Sequence, residues 1–373
     1  MKPIRLLFFL TSPVRGGVEE VVLALIRRLD PAEFRLALAA PAALLDALAP
    51  DFGAARVDTL AVAAESWLRR HEVARLGAFI TQWRPSIVNA HLFRSTLVAA
   101  PLTRWCGKAR VVETYHGREG WRQGGLRGSF IVDRLVSRCV DRVIAVSDAA
   151  RRFLIEGKGY PAAKIDVVPN GRDLSVFSPG ALREMGRKDL GLDDIVPVVG
   201  VVGRLETQKG HTYLLKAWPS VVRELPDARL LVVGDGTLRG ALEREARELG
   251  VASNVIFTGF RSDVARMLDT IDVLVLPSLY EGMPLTAIEA SAMARPVVAT
   301  AVDGTPEVVE DGVTGYLVPP ADPDALGRAL ARVLADRDRA AAMGRAGRDR
   351  VLARFSLETQ VEATARVYRA VVA

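Results

Sequence analysis

Cysteine is scarce in this 373-residue chain. Cys106 and Cys139 are too few for a disulfide scaffold and fit no CxxC or zinc-ligand spacing, so two reduced thiols are expected. Histidine is scarce too, with four residues scattered at 71, 91, 116 and 211, a distribution that argues against a metal site. Long apolar runs are missing. The opening stretch reaches only Leu6–Leu10 before Thr11 and Pro13, too short for a signal-peptide core. Nothing approaches the roughly 20 apolar residues that cross a bilayer. Secretion and membrane spanning are therefore not expected, and a cytoplasmic location is. No Ser sits in a GxSxG elbow, which disfavours an α/β-hydrolase. No GxGxxG follows the first apolar run, where GGVEE stands instead, so the dinucleotide fingerprint is absent at its usual place.

What is present is an ordinary globular composition, 50% hydrophobic and 25% charged, at a length that suits two domains. Charge is uneven. Residues 1–180 carry 26 Lys/Arg against 17 Asp/Glu, and residues 104–152 alone hold 11 against 5. Such a balance suits an anionic partner such as phosphate, acidic glycan or anionic lipid. Only seven of the 50 basic residues are Lys, so an Arg-rich composition explains the excess equally well.

Apolar runs of four to eight residues alternate with helical patterns. Ile4–Leu10, Phe34–Ala40, Ile87–His91, Arg110–Tyr115, Arg142–Val146 and Ile165–Val168 read as strands in the first half. Val198–Val202, Leu230–Val233, Val255–Thr258, Val273–Leu276 and Pro296–Ala299 do so in the second. The runs are continuous rather than alternating, the mark of a sheet covered on both faces. Helical segments such as Val18–Leu29, Trp67–Trp83, Thr237–Leu249 and Leu285–Met293 lie between them. Repeated βα units predict an α/β fold of two doubly wound parallel sheets. The strand rhythm breaks near 175–195, at Phe177-Ser178-Pro179-Gly180 and the charged run after it, which sets the domain boundary there. From Ser356 a last amphipathic helix follows, free to pack on either domain.

Ligands of open α/β sheets bind at the carboxyl ends of strands. At those ends Gly16-Gly17 opens a helix, as an anion site or simply as a tight turn. Gly203-Arg204-Leu205-Glu206-Thr207-Gln208-Lys209-Gly210 brackets two cations with glycines, a set suited to a diphosphate. Gly234-Asp235-Gly236 with Gly240 is a second glycine turn. In Glu281-Gly282-Met283-Pro284-Leu285, Gly282 permits a close turn and Pro284 fits the first helical position. The amides of Met283, Leu285 and Thr286 would then face an anion, while Glu281 and Glu289 accept from sugar hydroxyls. His116 and His91 each end a strand, as packing residues or as site residues.

Taken in order, GGVE at 16–19, Tyr115-His116-Gly117, AVS at 145–147, VPNG at 168–171, GRL…KG at 203–210, VVGDG at 232–236, FTGF at 257–260 and Glu281–Glu289 form a pattern that covers nearly the whole chain. With the run Gly304-Thr305-Pro306-Glu307 to Pro320, it resembles the retaining glycosyltransferases of family 4, which have the GT-B fold. The resemblance implies two Rossmann-like domains facing across a cleft: 1–180 on the acceptor side, 181–355 binding the nucleotide sugar, and 356–373 as a helix returning to the first domain. It implies that Arg204 and Lys209 neutralise the departing diphosphate, Glu289 holds the ribose diol, and Glu281 holds the transferred sugar. Gly203 and the backbone of Gly282, Met283, Pro284 and Leu285 would lie against the donor, Phe260 near the base, Gly17 by the diphosphate and His116 beside the sugar. Asp303 departs from the pattern, standing where a second glycine is common.

The implied reaction moves a sugar from a UDP-, GDP- or ADP-sugar to a hydroxyl of a glycan or lipid-linked acceptor, in cell-surface polysaccharide or glycolipid synthesis. No metal, no further cofactor and no nucleic acid are expected, since fixed cations and amides meet the leaving charge. Three competing readings remain: a glycoside hydrolase built on the two glutamates, a non-hydrolysing sugar-nucleotide epimerase of the same fold, and a non-catalytic nucleotide-sugar-binding subunit. In the basic segment, Leu126, Phe130, Ile131, Leu135 and Val136 fall at helical spacing among Arg122, Arg127, Arg134 and Arg138, with Trp121 just before them. That face either packs on the first sheet or, with the arginines, meets an anionic membrane surface peripherally.

Overall fold

The computed structural model describes residues 3–63, 70–107, 109–118 and 129–373. The chain divides into two compact units, Met1–Gly171 with Leu357–Ala373, and Arg172–Ser356. The first holds seven strands: β1 (Ile4–Phe9), β2 (Phe34–Ala40), β3 (Val57–Ala61), β4 (Ile87–His91), β5 (Arg110–Tyr115), β6 (Arg142–Ala145) and β7 (Ile165–Val167), in the order β3-β2-β1-β4-β5-β6-β7. The second holds six: β8 (Val198–Val202), β9 (Arg229–Val233), β10 (Val255–Gly259), β11 (Val273–Leu276), β12 (Val297–Thr300) and β13 (Gly315–Val318), in the order β10-β9-β8-β11-β12-β13. Every pairing is parallel.

Both sheets are doubly wound, as the strand rhythm predicts. Their order reverses between β1 and β4 in one unit and between β8 and β11 in the other. Helices cover both faces, so central strands are apolar throughout: Leu6 to Phe9 and Leu274 to Val275 are all fully buried. Two strands lie outside the sequence expectation, β3 and β13, and both are sheet edges. The other two edges, β7 and β10, are among the strands read from the sequence. The β3 sequence VDTLA is half-exposed and carries no continuous apolar run. The expected helices form with ends shifted by one or two residues, and Trp67 lies outside the described residues.

The last helix, Leu357–Val372, packs within the first unit. Asn89 on β4 donates to the Tyr368 hydroxyl at 2.5 Å, and Arg369 forks onto Glu33 at 2.7 and 2.9 Å. In the basic segment, Trp121, Arg122, Leu126 and Arg127, with the Phe130 side chain, lie outside the described residues. The helix Ser129–Ser137 that follows is split. Val136 is in the core and Asp133 pairs with Lys158 at 2.9 Å, both buried, whereas Ile131 is 61% and Leu135 53% exposed. Among the described residues, no helix is long and apolar enough to cross a membrane.

Candidate active site

The second sheet reverses at β8/β11, and the loops leaving those two strands hold most of the candidate residues. The loop after β8 is held by backbone contacts that only glycine allows. A Cβ on Gly234, at φ +137°, would lie 1.9 Å from the Gly203 carbonyl oxygen, so the two loops can close backbone to backbone. Gly203 donates to Val233 at 3.0 Å and Leu205 to Asp235 at 2.9 Å across that contact. The GDG turn after β9 therefore has a packing role. Gly210, at φ +68°, comes equally close to the Pro277 carbonyl, while Leu279 donates to the Gln208 carbonyl at 2.8 Å. These approaches dock the short 3₁₀ turn Thr207–Lys209 onto the end of β11.

Docking brings Lys209 Nζ to 2.6 Å from Glu281 Oε1, and the Ser278 hydroxyl donates to the same oxygen at 2.7 Å. Glu281 is buried. Its amide donates to Asp303 Oδ2 at 2.9 Å. Asp303 has φ +41°, so the residue that departs from the family's glycine occupies a left-handed conformation, which Asp tolerates better than most side chains. Arg204 is exposed and close enough to Tyr280 to act on its phenol, which burial raises above the usual value and the guanidinium lowers.

The helix after this turn spans Leu285–Ala292. Pro284 stands one position earlier than expected, as the N-cap: with ψ 105° it is still extended, and its carbonyl accepts from Ala287 at 3.1 Å. The Leu285 and Thr286 amides thus precede the first intrahelical bond, an arrangement that favours anions. Met283 is buried beneath the turn. Glu289, one turn into the helix and buried, pairs with Arg172 at 2.7 Å. Phe260, just beyond β10, is 79% exposed.

In the first unit, Gly17 begins the helix Gly17–Arg28 after β1, with Gly16 as an extended N-cap and no side-chain cap. His116 follows β5, and its Nε2 lies 2.9 Å from His91 Nδ1 at the end of β4, the rings stacked 5.2 Å apart. Burial pushes the His116 imidazole down to about 3, so it is neutral at physiological pH. His91 is also held well below its ordinary value, by burial and then by His116.

Residues 15–176 match the description Glycosyltransferase Family 4, and residues 196–336 match Glycosyl transferases group 1. A D-inositol 3-phosphate glycosyltransferase of Segniliparus rotundus is 35% identical over 302 residues, 77% of this chain and 67% of its own. A GDP-mannose-dependent alpha-(1-6)-phosphatidylinositol monomannoside mannosyltransferase of Mycolicibacterium smegmatis is 37% identical over 273 residues, 70% of each chain. The chain belongs to glycosyltransferase family 4. HepE of Anabaena, solved in complex with UDP-glucose, has a TM-score of 0.87 at 21% identity, covering 98% of this chain and 100% of that one. That likeness assigns the GT-B fold to this glycosyltransferase.

Within its second unit the glycosyltransferase brings Lys209 onto Glu281 and sets Glu289 on the adjoining helix; Arg204 and Phe260 stay exposed. Sequence reasoning missed Ser278, Asp303 as a partner of Glu281, and Arg172. Arg172 directly follows the VPNG motif, but no local periodicity ties position 172 to 289. His91 has a signal of its own, a polar residue ending a buried strand two neighbours from β2. Among the described residues, no three His, Cys, Asp or Glu side chains gather as metal ligands.

Proposed function

We propose that this glycosyltransferase takes its sugar from a nucleoside diphosphate sugar, linked to UDP, GDP or ADP. It transfers that sugar, with retention, to a hydroxyl of a glycan or lipid-linked acceptor in glycolipid or cell-surface polysaccharide synthesis. One observation carries the reading. Lys209 and Arg204 on one loop, the amide end of Leu285–Ala292, and the buried carboxylates Glu281 and Glu289 all lie on the loops and the helix that follow β8 and β11 of a single parallel sheet.

Breaking a glycosyl–phosphate bond sends the electron pair to the diphosphate oxygen and leaves positive charge on the anomeric carbon. Preorganised cations and helix amides stabilise that departing charge, with no metal required. Lys209 and Ser278 hold one oxygen of Glu281, and the other is assigned to hydroxyls of the transferred sugar. Glu289 is assigned to the ribose diol, Phe260 to the base, Gly17 to the diphosphate, and neutral His116 to a hydrogen bond with the sugar. The acceptor hydroxyl then attacks from the face the diphosphate leaves and passes its proton to the departing diphosphate oxygen, which gives retention.

The phosphatidylinositol monomannoside acceptor named for the mycobacterial relative supports a lipid-linked substrate. The exposed Ile131, Val132 and Leu135 beside exposed Arg134 and Arg138 support peripheral binding to an anionic membrane, at its cytoplasmic face. Mass spectrometry of donor turnover across UDP-, GDP- and ADP-sugars tests the donor class, and turnover of none of them refutes it. An epimerised donor formed without acceptor would replace transfer by epimerisation. The anomeric configuration of the product, read by NMR, tests retention. Co-sedimentation with anionic and neutral vesicles tests the membrane, with Arg122, Arg127 and Arg134 changed together to Gln. Binding that ignores lipid charge refutes it.

A further inference from the structure

In the first unit His91 ends β4 and His116 directly follows β5, its parallel neighbour. Each is followed at once by a residue of positive φ, Leu92 at +70° and Gly117 at +115°. Leu92 also has ψ 155°, a conformation that glycine adopts freely and that costs other residues about 1–3 kcal/mol. It is held from both sides. Its amide donates to the Thr114 carbonyl at 3.2 Å, and its carbonyl accepts from the Thr96 amide and hydroxyl, each at 3.1 Å. The sharp turn starts the helix Phe93–Cys106 directly and leaves His91 at the strand end. There its Nδ1 meets His116 Nε2 at 2.9 Å with the ring planes only 24° apart, so an N–H of one ring points along the lone pair of the other.

A neutral imidazole has one N–H and one bare nitrogen. Burial lowers the titration of both rings far enough to keep them neutral at physiological pH. The contact then runs in one of two senses. If His116 donates from Nε2, the proton of His91 sits on its own Nε2, which is buried without a partner among the described residues. An orphaned buried N–H is rarer than an underused acceptor. If His91 donates from Nδ1, its buried Nε2 is only a bare lone pair, and the one proton of His116 is on Nδ1. His116 is half-buried, and its Nδ1 makes no hydrogen bond to the described residues, so a proton there faces outward for a ligand. We propose that His91 is a positioning residue that donates its Nδ1–H to His116 Nε2, holding the proton of His116 on Nδ1 so that it donates to an oxygen of the transferred sugar. The assignment rests on the reading of His116 beside that sugar. It goes further by fixing the sense of the bond: His116 gives a proton to the sugar oxygen and accepts none.

Long-range ¹H–¹⁵N NMR of the full chain, with its four histidines ¹⁵N-labelled, separates protonated from bare ring nitrogens. Signals lost in His91→Asn and in His116→Ala assign the two rings. Both are expected with a protonated Nδ1 and a bare Nε2, and a proton on Nε2 of either ring overturns the proposal. This measurement carries the test if the next variant fails to fold. His91→Phe keeps an aromatic ring and removes the donor. Its kcat/KM for transfer is expected to fall about tenfold, the scale of one hydrogen bond. Its affinity in calorimetry for the donor's nucleoside diphosphate, which lacks the sugar, stays within about twofold of wild type. His91→Asn, whose side-chain amide stands near the place of Nδ1, recovers most of the loss. Unchanged kcat/KM in folded His91→Phe, a matching loss of nucleotide affinity, or equal losses in the Phe and Asn variants overturns the positioning role. His116→Ala separates the two claims. If it keeps wild-type transfer, the reading of His116 beside the sugar fails and the role of His91 fails with it. If it loses transfer while His91→Phe does not, only the role of His91 fails.

Discussion

Replacing Lys209 with Ala removes a cation whose ammonium lies 2.6 Å from Glu281, in a pair with side chains 22% and 7% exposed. Deleting one member of a fully buried pair costs about 3–5 kcal/mol, and an exposed pair contributes about 0–1 kcal/mol. Here the lysine end reaches solvent and Ser278 still donates to the carboxylate, so a loss of about 2 kcal/mol follows. For a unit the size of Arg172–Ser356 that lowers its melting midpoint by about 4–8 °C. Adding Glu281→Gln removes the charge left without its counter-ion while keeping an acceptor for Ser278, so the double variant recovers at least about half of the loss. Turnover behaves differently. On the proposed role of Lys209 at the leaving group, both variants are expected to fall about 10²-fold or more, near 2.7 kcal/mol of transition-state stabilisation. Scanning calorimetry, compared transition by transition because the chain has two units, and initial rates with the donor found in the panel measure the two effects. A double variant that melts below the single one, or a Lys209→Ala enzyme with unchanged midpoint and rate, refutes the reasoning.

Arg204→Ala is expected to cut turnover about 10²-fold while shifting stability by less than about 0.5 kcal/mol, because the side chain is exposed; rates and melts of the same preparation check both. Glu289→Ala should mainly weaken free nucleotide and Glu281→Ala mainly slow transfer; equal losses of UDP or GDP affinity in calorimetry would end that division. EDTA should leave activity intact, and abolition with rescue by Mg²⁺ or Mn²⁺ would contradict it. His211 is buried with neither ring nitrogen partnered among the described residues, and burial, then Lys209, pushes it down to about 4. Its folded value lies below the unfolded one of about 6.5, so stability is lost as pH falls from about 6.5 toward 4, about 2 kcal/mol by pH 5. His211→Leu should therefore narrow the gap between melting midpoints at pH 7 and pH 5, and an unchanged gap would show that another group sets it.

The sequence by itself determines the strand–helix alternation, because strands buried on both faces must be continuously apolar and the helices between them must be amphipathic. It also determines the chemistry on offer at the strand ends, since Arg204, Lys209, Glu281 and Glu289 are written beside the glycines and proline that turn the chain. It misses two of the four edge strands. Strand β3 is half-exposed with Asp58 and Thr59 inside it, and the four-residue β13 opens on Gly315, so neither offers a long apolar run. Nor does it say who meets whom. Lys209 reaches Glu281 because the sheet order reverses at β8/β11 and Gly210 and Gly234 let the loops close at backbone distance. Arg172 reaches Glu289 across more than a hundred residues of chain. His116 meets His91 from the adjacent strand, and burial lowers its titration. Local sequence carries periodicity and turn chemistry, which act over a few residues. Ion pairs and shifted titrations depend on which surfaces exclude water together, and only tertiary packing decides that.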